Sequence, residues 1–151
     1  MPSSPDEINR IKETYERRKL AISPHRYSFF NPGHLFMVQQ RERELLAAFK
    51  NHQVTSLEDK KNLDLGCGRG GELRNFIRYG ARPENLFGID LLPDRIEAAR
   101  SISPNINFRC ENAENLPYDN NSFDVVMQFT VFTSILADNM KKTLPPKCFV
   151  C

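Results

Sequence analysis

No run of about 18 apolar residues occurs anywhere in the sequence, so nothing in it reads as a membrane-spanning helix. The opening Met1-Pro2-Ser3-Ser4-Pro5-Asp6 lacks the basic start and apolar stretch of a secretory leader, which makes a cytoplasmic protein the expectation. Cysteine is scarce and scattered: Cys67, Cys110, Cys148 and Cys151 give no disulfide framework. The last two form a C-x-x-C without a second ligand pair or a helix context, and Cys-Phe-Val-Cys only loosely imitates a prenylation box, so no metal or lipid anchor is expected. Charge of one sign is also missing overall. Lys and Arg number 21 against 19 Asp and Glu, too even a balance to demand a membrane or nucleic-acid partner. There is no internal repeat. What is present is 151 residues, 40% hydrophobic and 26% charged, with a mean hydropathy of -0.52. That suffices for one soluble domain with its own core and polar loops.

Two helices are expected first. Ser4-Pro5-Asp6-Glu7 combines a capping serine, proline at the first helical position and glutamate three residues after the cap. Ile8, Ile11 and Tyr15 then supply an apolar stripe. Asn31-Pro32 repeats the cap, and Leu35, Val38, Leu45, Leu46 and Phe49 continue at helical spacing to about His52. Between them, Tyr27-Ser28-Phe29-Phe30-Asn31-Pro32 is expected to pack within this extension.

From Lys61 the pattern changes to short apolar runs alternating with helices. Strands are expected near 62–65, 86–90, 106–110 and 123–129, with helices near 71–79 and 93–102. Gly80 ends the first of these helices. This alternation implies an α/β fold, a Rossmann-like three-layer sandwich with a mostly parallel sheet. A further helix is expected around 132–142. The residues after it contain no recognisable strand and helix pair, so the sheet is expected to stop at its fourth strand, incomplete at its C-terminal half. The resulting division is a helical extension at 1–58, an α/β core at 59–142 and a tail at 143–151 outside the core pattern. An unpaired fourth strand would favour self-association through the exposed edge.

The chemistry concentrates on Asp64-Leu65-Gly66-Cys67-Gly68-Arg69-Gly70-Gly71. A glycine-rich turn between strand and helix lets a ligand approach the backbone beside free helix N–H groups. About twenty residues later, Asp90 stands at a strand end, where a carboxylate can accept hydrogen bonds from both ribose hydroxyls of an adenosine-type cofactor. Gly66, Gly68 and Gly71 also satisfy the G-x-G-x-x-G dinucleotide pattern, so an NAD-linked oxidoreductase competes. Asp64 argues against it. A carboxylate two residues before the first glycine would repel a pyrophosphate but suits an ammonium group.

Leu63 to Gly70 resembles motif I of class I S-adenosylmethionine (SAM) dependent methyltransferases, and Gly88-Ile89-Asp90-Leu91 resembles the ribose-binding motif that follows it. Glu111 to Tyr118 and Ser122 to Val126 resemble the segments after strand three and in strand four, so the likeness covers roughly residues 61–136. It implies SAM as cofactor, held by Asp64, Gly66, Cys67, Gly68, Gly70 and Asp90. It further implies Leu91 packed on the adenosine, Asn112 and Ala113 against the adenine, and Gln128 and Phe129 lining the methionine end. Asn112 stands where the family often has aspartate, and its amide can still hydrogen-bond an adenine edge. Extensions like the N-terminal one often close over the site in this family. No catalytic residue is assigned, because methyl transfer needs an aligned nucleophile more than a dedicated base, and His25, His34 and His52 read as surface or capping residues. A small-molecule acceptor is expected. The Gly-Cys-Gly-Arg-Gly-Gly run also resembles messenger-RNA cap methyltransferases, but no dense basic stripe with interleaved aromatics accompanies it, leaving nucleic acid a minor alternative. A truncated or frame-shifted, catalytically silent interaction fragment is the third reading.

Overall fold

Pro5 opens a helix because its fixed φ suits the first turn and its missing N–H has no partner to lose there. The computed structural model, which describes residues 5–129 and 149–150, shows α1 over Pro5–Ala21. A 3-10 turn at Pro24–Tyr27 follows, then α2 over Pro32–Asn51. The Asn31 side chain caps α2 by accepting from the Gly33 and His34 amides at 3.0 and 3.4 Å, as the sequence pattern requires. Ile11, Leu45 and Phe49 are buried, whereas Leu46, expected on the same stripe, is exposed. In the segment expected to pack within this extension the rings stay at the surface instead: Tyr27, Phe29 and Phe30 are all exposed. Its backbone closes on itself through Arg26 N–H to Ser23 O, Ser28 N–H to His25 O and Asn31 N–H to Ser28 O. Two of the rings rest on His34, Tyr27 and Phe29 lying edge-on to it at 5.9 and 5.7 Å.

Helices and sheet form two units, Pro5–Thr55 and Ser56–Val150. In the second, β1 is Asn62–Leu65, α3 Gly71–Arg78, β2 Leu86–Asp90, α4 Pro93–Ile102, β3 Asn107–Cys110 and β4 Val125–Gln128. A two-residue strand, β5 at Phe149–Val150, pairs parallel to β4 through Met127↔Phe149 and Gln128↔Val150. The expectation that the sheet stops at four strands is therefore corrected: backbone pairing needs only a short extended segment, not an apolar run that the sequence pattern could announce. The sheet order is β3-β2-β1-β4-β5, parallel throughout. The helix expected around 132–142 and the Cys148/Cys151 pair lie outside the described residues.

Central parallel strands are buried on both faces, so β1 is buried at every position, Asn62 and Asp64 included. Leu63, Leu65 and Ile89 form the core of one face, against which Phe87, Ala113, Leu116, Tyr118, Phe123 and Val126 pack. Phe87, Tyr118 and Phe123 meet edge to face, with centroids 4.9 to 5.9 Å apart, and so tie the loop after β3 to the sheet. Phe76 and Leu73 of α3 and Ile96 and Ala99 of α4 are almost wholly buried, each large apolar chain contributing about 1.5–3 kcal/mol.

Two strands begin later than their apolar runs. Asp124 clamps the chain to the residue before β1, its carboxylate accepting from Lys61 N–H at 2.8 Å while its own N–H donates to Lys61 O at 2.9 Å. Phe123 is thereby released into the aromatic cluster, and β4 starts at Val125. Ile106 donates its N–H to Ser103 O, closing the turn after α4 before β3 begins.

Candidate functional site

The strand order reverses between β1 and β4, and in open parallel sheets ligands bind beyond the carboxyl ends of the strands at such a point. The residues singled out from the sequence lie along that edge. Gly66 to Gly70 follow β1, Asp90 ends β2 with Leu91 just beyond it, Asn112 and Ala113 follow β3, and Gln128 ends β4 with Phe129 just beyond it. Asp64 is one residue inside the edge, in register with Gly88 of β2 and Met127 of β4, and is only 2% exposed.

The glycine loop is held from both sides. Gly66 and Cys67 both donate their N–H groups to Ile89 O, at 2.8 and 2.9 Å, and Gly70 N–H donates to Cys67 O at 2.9 Å. Gly68 N–H donates to Asp90 Oδ2 at 2.9 Å, while Leu92 N–H donates to Asp90 Oδ1 at 2.9 Å. The Asp90 carboxylate is thus aimed by two backbone amides, and each oxygen keeps a further lone pair for a ligand hydroxyl.

Gly66, Gly68 and Gly70 all have positive φ, at 74°, 55° and 78°, a region costly for side-chain-bearing residues. They differ in what a side chain would meet. Among the described residues a Cβ at Gly68 would meet Arg95 Nη1 alone, at an ordinary contact distance of 3.9 Å, so a side chain there would not be crowded. At Gly70 it would strike the Phe108 ring at 2.6 Å, and at Gly88 it would strike Cys67 Sγ and Phe108 at 2.8 Å each. Gly70 and Gly88 are therefore glycines so that Phe108 can fill the space beneath the loop. The Gly88 requirement was not drawn from the sequence, where the position reads as one more strand residue; only the cross-strand pair Gly88↔Phe108 reveals it.

Gly70 also serves as the N-cap of α3 without any side-chain cap hydrogen bond, so the first amides of that helix are left to other partners. Cys67 sits buried between Asp64 and Asp90. Burial first, and then these two carboxylates, push its thiol well above the usual range, which disfavours the thiolate form a nucleophile needs. Asn112 is occupied locally: its Oδ1 accepts from Glu114 N–H at 3.1 Å, and its Nδ2 donates to Glu114 Oε2 at 3.1 Å. Leu91, Ala113 and Phe129 are half-buried, and Gln128 is buried. Among the described residues no group of His, Cys, Asp and Glu could hold a metal ion.

These features match an adenosine-type cofactor on an observation of the fold itself: an oriented, buried carboxylate joined to a glycine turn that no described side chain crowds. Comparison with known proteins agrees. Residues 63–146, more than half of the chain, match the family described as methyltransferase domain. The phthiotriol/phenolphthiotriol dimycocerosates methyltransferase of Mycobacterium leprae is 38% identical over 74 residues, which cover 48% of this chain and 27% of that one. The sterol 4-C-methyltransferase of Caenorhabditis elegans is 26% identical over 114 residues, covering 70% of this chain and 33% of that one. The matches thus span about a third or less of these relatives' own lengths. A SAM-dependent methyltransferase from Methanosarcina mazei superposes with a TM-score of 0.51 at 28% identity, covering 58% of this chain and 44% of that one. The oxidoreductase alternative gains no support from any of these. With its parallel 3-2-1-4-5 sheet, its glycine turn bound to Asp90 and this family match, the chain belongs to the class I SAM-dependent methyltransferases.

Proposed function

We propose that this chain supplies the cofactor half of a methyltransferase that moves the methyl group of SAM to a small organic acceptor. The observation that carries the reading is the 2.9 Å hydrogen bond from Gly68 N–H to Asp90 Oδ2. It joins the two motifs, 22 residues apart, into one anchor at the sheet's carboxyl edge. SAM contributes an electrophilic methyl on a sulfonium; the protein's part is to bind, orient and exclude water. Asp90 takes the ribose hydroxyls, and Gly66, Cys67, Gly68 and Gly70 shape the turn that admits the cofactor. Asp64 offers negative charge to the ammonium group. Leu91 and Ala113 flank the adenosine, Asn112 presents its turn to the adenine, and Gln128 and Phe129 close the methionine end beside the switch point. No base is assigned.

Residues 59–142 form this core in the reading, 1–58 the extension and 143–151 the tail. The two relatives named above carry phthiotriol dimycocerosates and a sterol in their names, which supports an organic acceptor over nucleic acid. No helix among the described residues is long and apolar enough to cross a membrane, and a cytoplasmic location is part of the proposal.

Calorimetric titration of the chain with SAM, S-adenosylhomocysteine and NAD tests it. SAM and its demethylated product bind, NAD does not, and Asp90→Ala weakens SAM about a hundredfold, the loss of two charge-assisted hydrogen bonds of about 1.5 kcal/mol each. Tight NAD binding, or SAM affinity unchanged in a folded Asp90→Ala protein, rejects the assignment.

A further inference from the structure

We propose that the surface from Arg17 to Met37 docks peripherally on an anionic lipid bilayer. The argument is independent of the cofactor site, since every residue in it belongs to the unit Pro5–Thr55. Leu20 is 91% and Phe30 93% exposed, and Tyr27, Phe29, Phe36 and Met37 are exposed as well. These are six of the nine large apolar side chains exposed among the described residues, gathered in one short stretch of chain. Two of them share a support, Tyr27 and Phe29 resting edge-on against His34, and Met37 lies about one helical turn beyond His34 on α2.

Charge selects the partner. Between Glu16 and Glu42 no acidic residue occurs, while Arg17, Arg18 and Arg26 precede or interrupt the apolar set and all three are exposed; Lys19, also exposed, is paired with Glu16 at 2.7 Å. The near-neutral balance of the whole chain hides this local segregation. Two-fold pairing with a second copy would bring like charges together, which disfavours the chain itself as the occupant. Leu20 and Met37 have no aromatic face for stacking on bases, whereas a bilayer interface accepts aliphatic, sulfur-containing and aromatic side chains alike and attracts the flanking cations. An aromatic turn joining two helix ends, with Arg17 and Arg18 before it and Arg26 within it, has the composition of a shallow interfacial anchor.

Density-gradient flotation of the whole chain tests the proposal, using vesicles of phosphatidylcholine alone and of phosphatidylcholine mixed with phosphatidylserine. The chain floats with the anionic vesicles in a salt-sensitive manner. The partition falls about tenfold or more in the double variant Phe29→Ser, Phe30→Ser, and again in Arg17→Gln, Arg18→Gln. All four side chains are exposed, so far-UV circular dichroism remains unchanged and folding does not confound the result. Absence of flotation with anionic vesicles overturns the proposal, as does flotation indifferent to both double variants. A labelled single-stranded oligonucleotide that binds more tightly and strips the chain from vesicles reassigns the surface to nucleic acid.

Discussion

Glycines that look alike in the sequence do different work in the structure. Gly68 and Gly70 share a left-handed backbone, yet a side chain at the first would meet Arg95 only at contact distance and at the second would strike the Phe108 ring. Gly68→Ala therefore costs about 1–2 kcal/mol from backbone strain alone and lowers SAM affinity, because its methyl group enters the turn. Gly70→Ala adds overpacking to the strain, for about 2–4 kcal/mol in total. Urea melts of the two variants, read beside SAM titrations, should show the larger stability loss at Gly70; equal losses would mean that Phe108 gives way. Tyr118 offers a second test. Its hydroxyl is buried without a hydrogen-bond partner among the described residues. Burial raises its pKa above the usual tyrosine value, assisted by Glu111 and opposed by Arg109, whose guanidinium lies 5.5 Å from the ring centre. With the folded pKa raised above the unfolded one, the native state keeps more protons in that interval, so stability is full below about pH 10 and declines as pH rises through the folded value. Tyr118→Phe should remove this alkaline decline and be neutral or stabilising near pH 7, since it deletes an unpaired hydroxyl. A Tyr118→Phe protein with an unchanged alkaline melting profile would dismiss the account.

At the scale of elements, helix starts are local chemistry and strand starts are not. Asn31 satisfies two amides of α2 with its own side chain, a contact complete within four residues. Asn31→Ala should accordingly cost about 1 kcal/mol, and Asn31→Asp should restore most of it; circular dichroism followed through denaturation measures both. The strands answer to partners far away in sequence. Phe123 fits an apolar run but leaves β4 because Asp124 is bound to Lys61, and Asn107 helps to anchor β3 by donating its side-chain amide to Glu84 O and Leu86 O. Arg100 of α4 reaches Phe108 O at 2.8 Å, fixing the strand whose ring supports the glycine loop. The geometry of the loop is thus inherited from α4 and β3 as much as from β1.

For the whole molecule, β5 is the decisive element. Its two residues pair with Met127 and Gln128, covering the end of β4 that leads to the site. A short strand is a modest guard for a sheet edge. Removing 149–151 should therefore raise self-association, visible by sedimentation velocity as a concentration-dependent shift to faster species. A truncated chain that sediments as the parent does would show that the β4 edge is protected otherwise.

The sequence by itself determined the periodic elements and the nearby chemistry. Proline and Asn caps, helical stripes, and the glycine turn after an apolar run all act within a few residues, so α1 to α4 and the positions of Asp64, Gly66 to Gly70 and Asp90 were legible directly. Only the tertiary structure decided which amides aim Asp90, why Gly70 and Gly88 lack side chains, that Asn112 is engaged by Glu114, that the Tyr27 to Phe30 rings stay outside, and that a fifth strand joins the sheet. The physical reason is common to all five. Each depends on which groups meet in space or remain uncovered there, and a hydrogen bond, a ring filling a gap or a backbone pairing leaves no periodic mark on the chain that makes it.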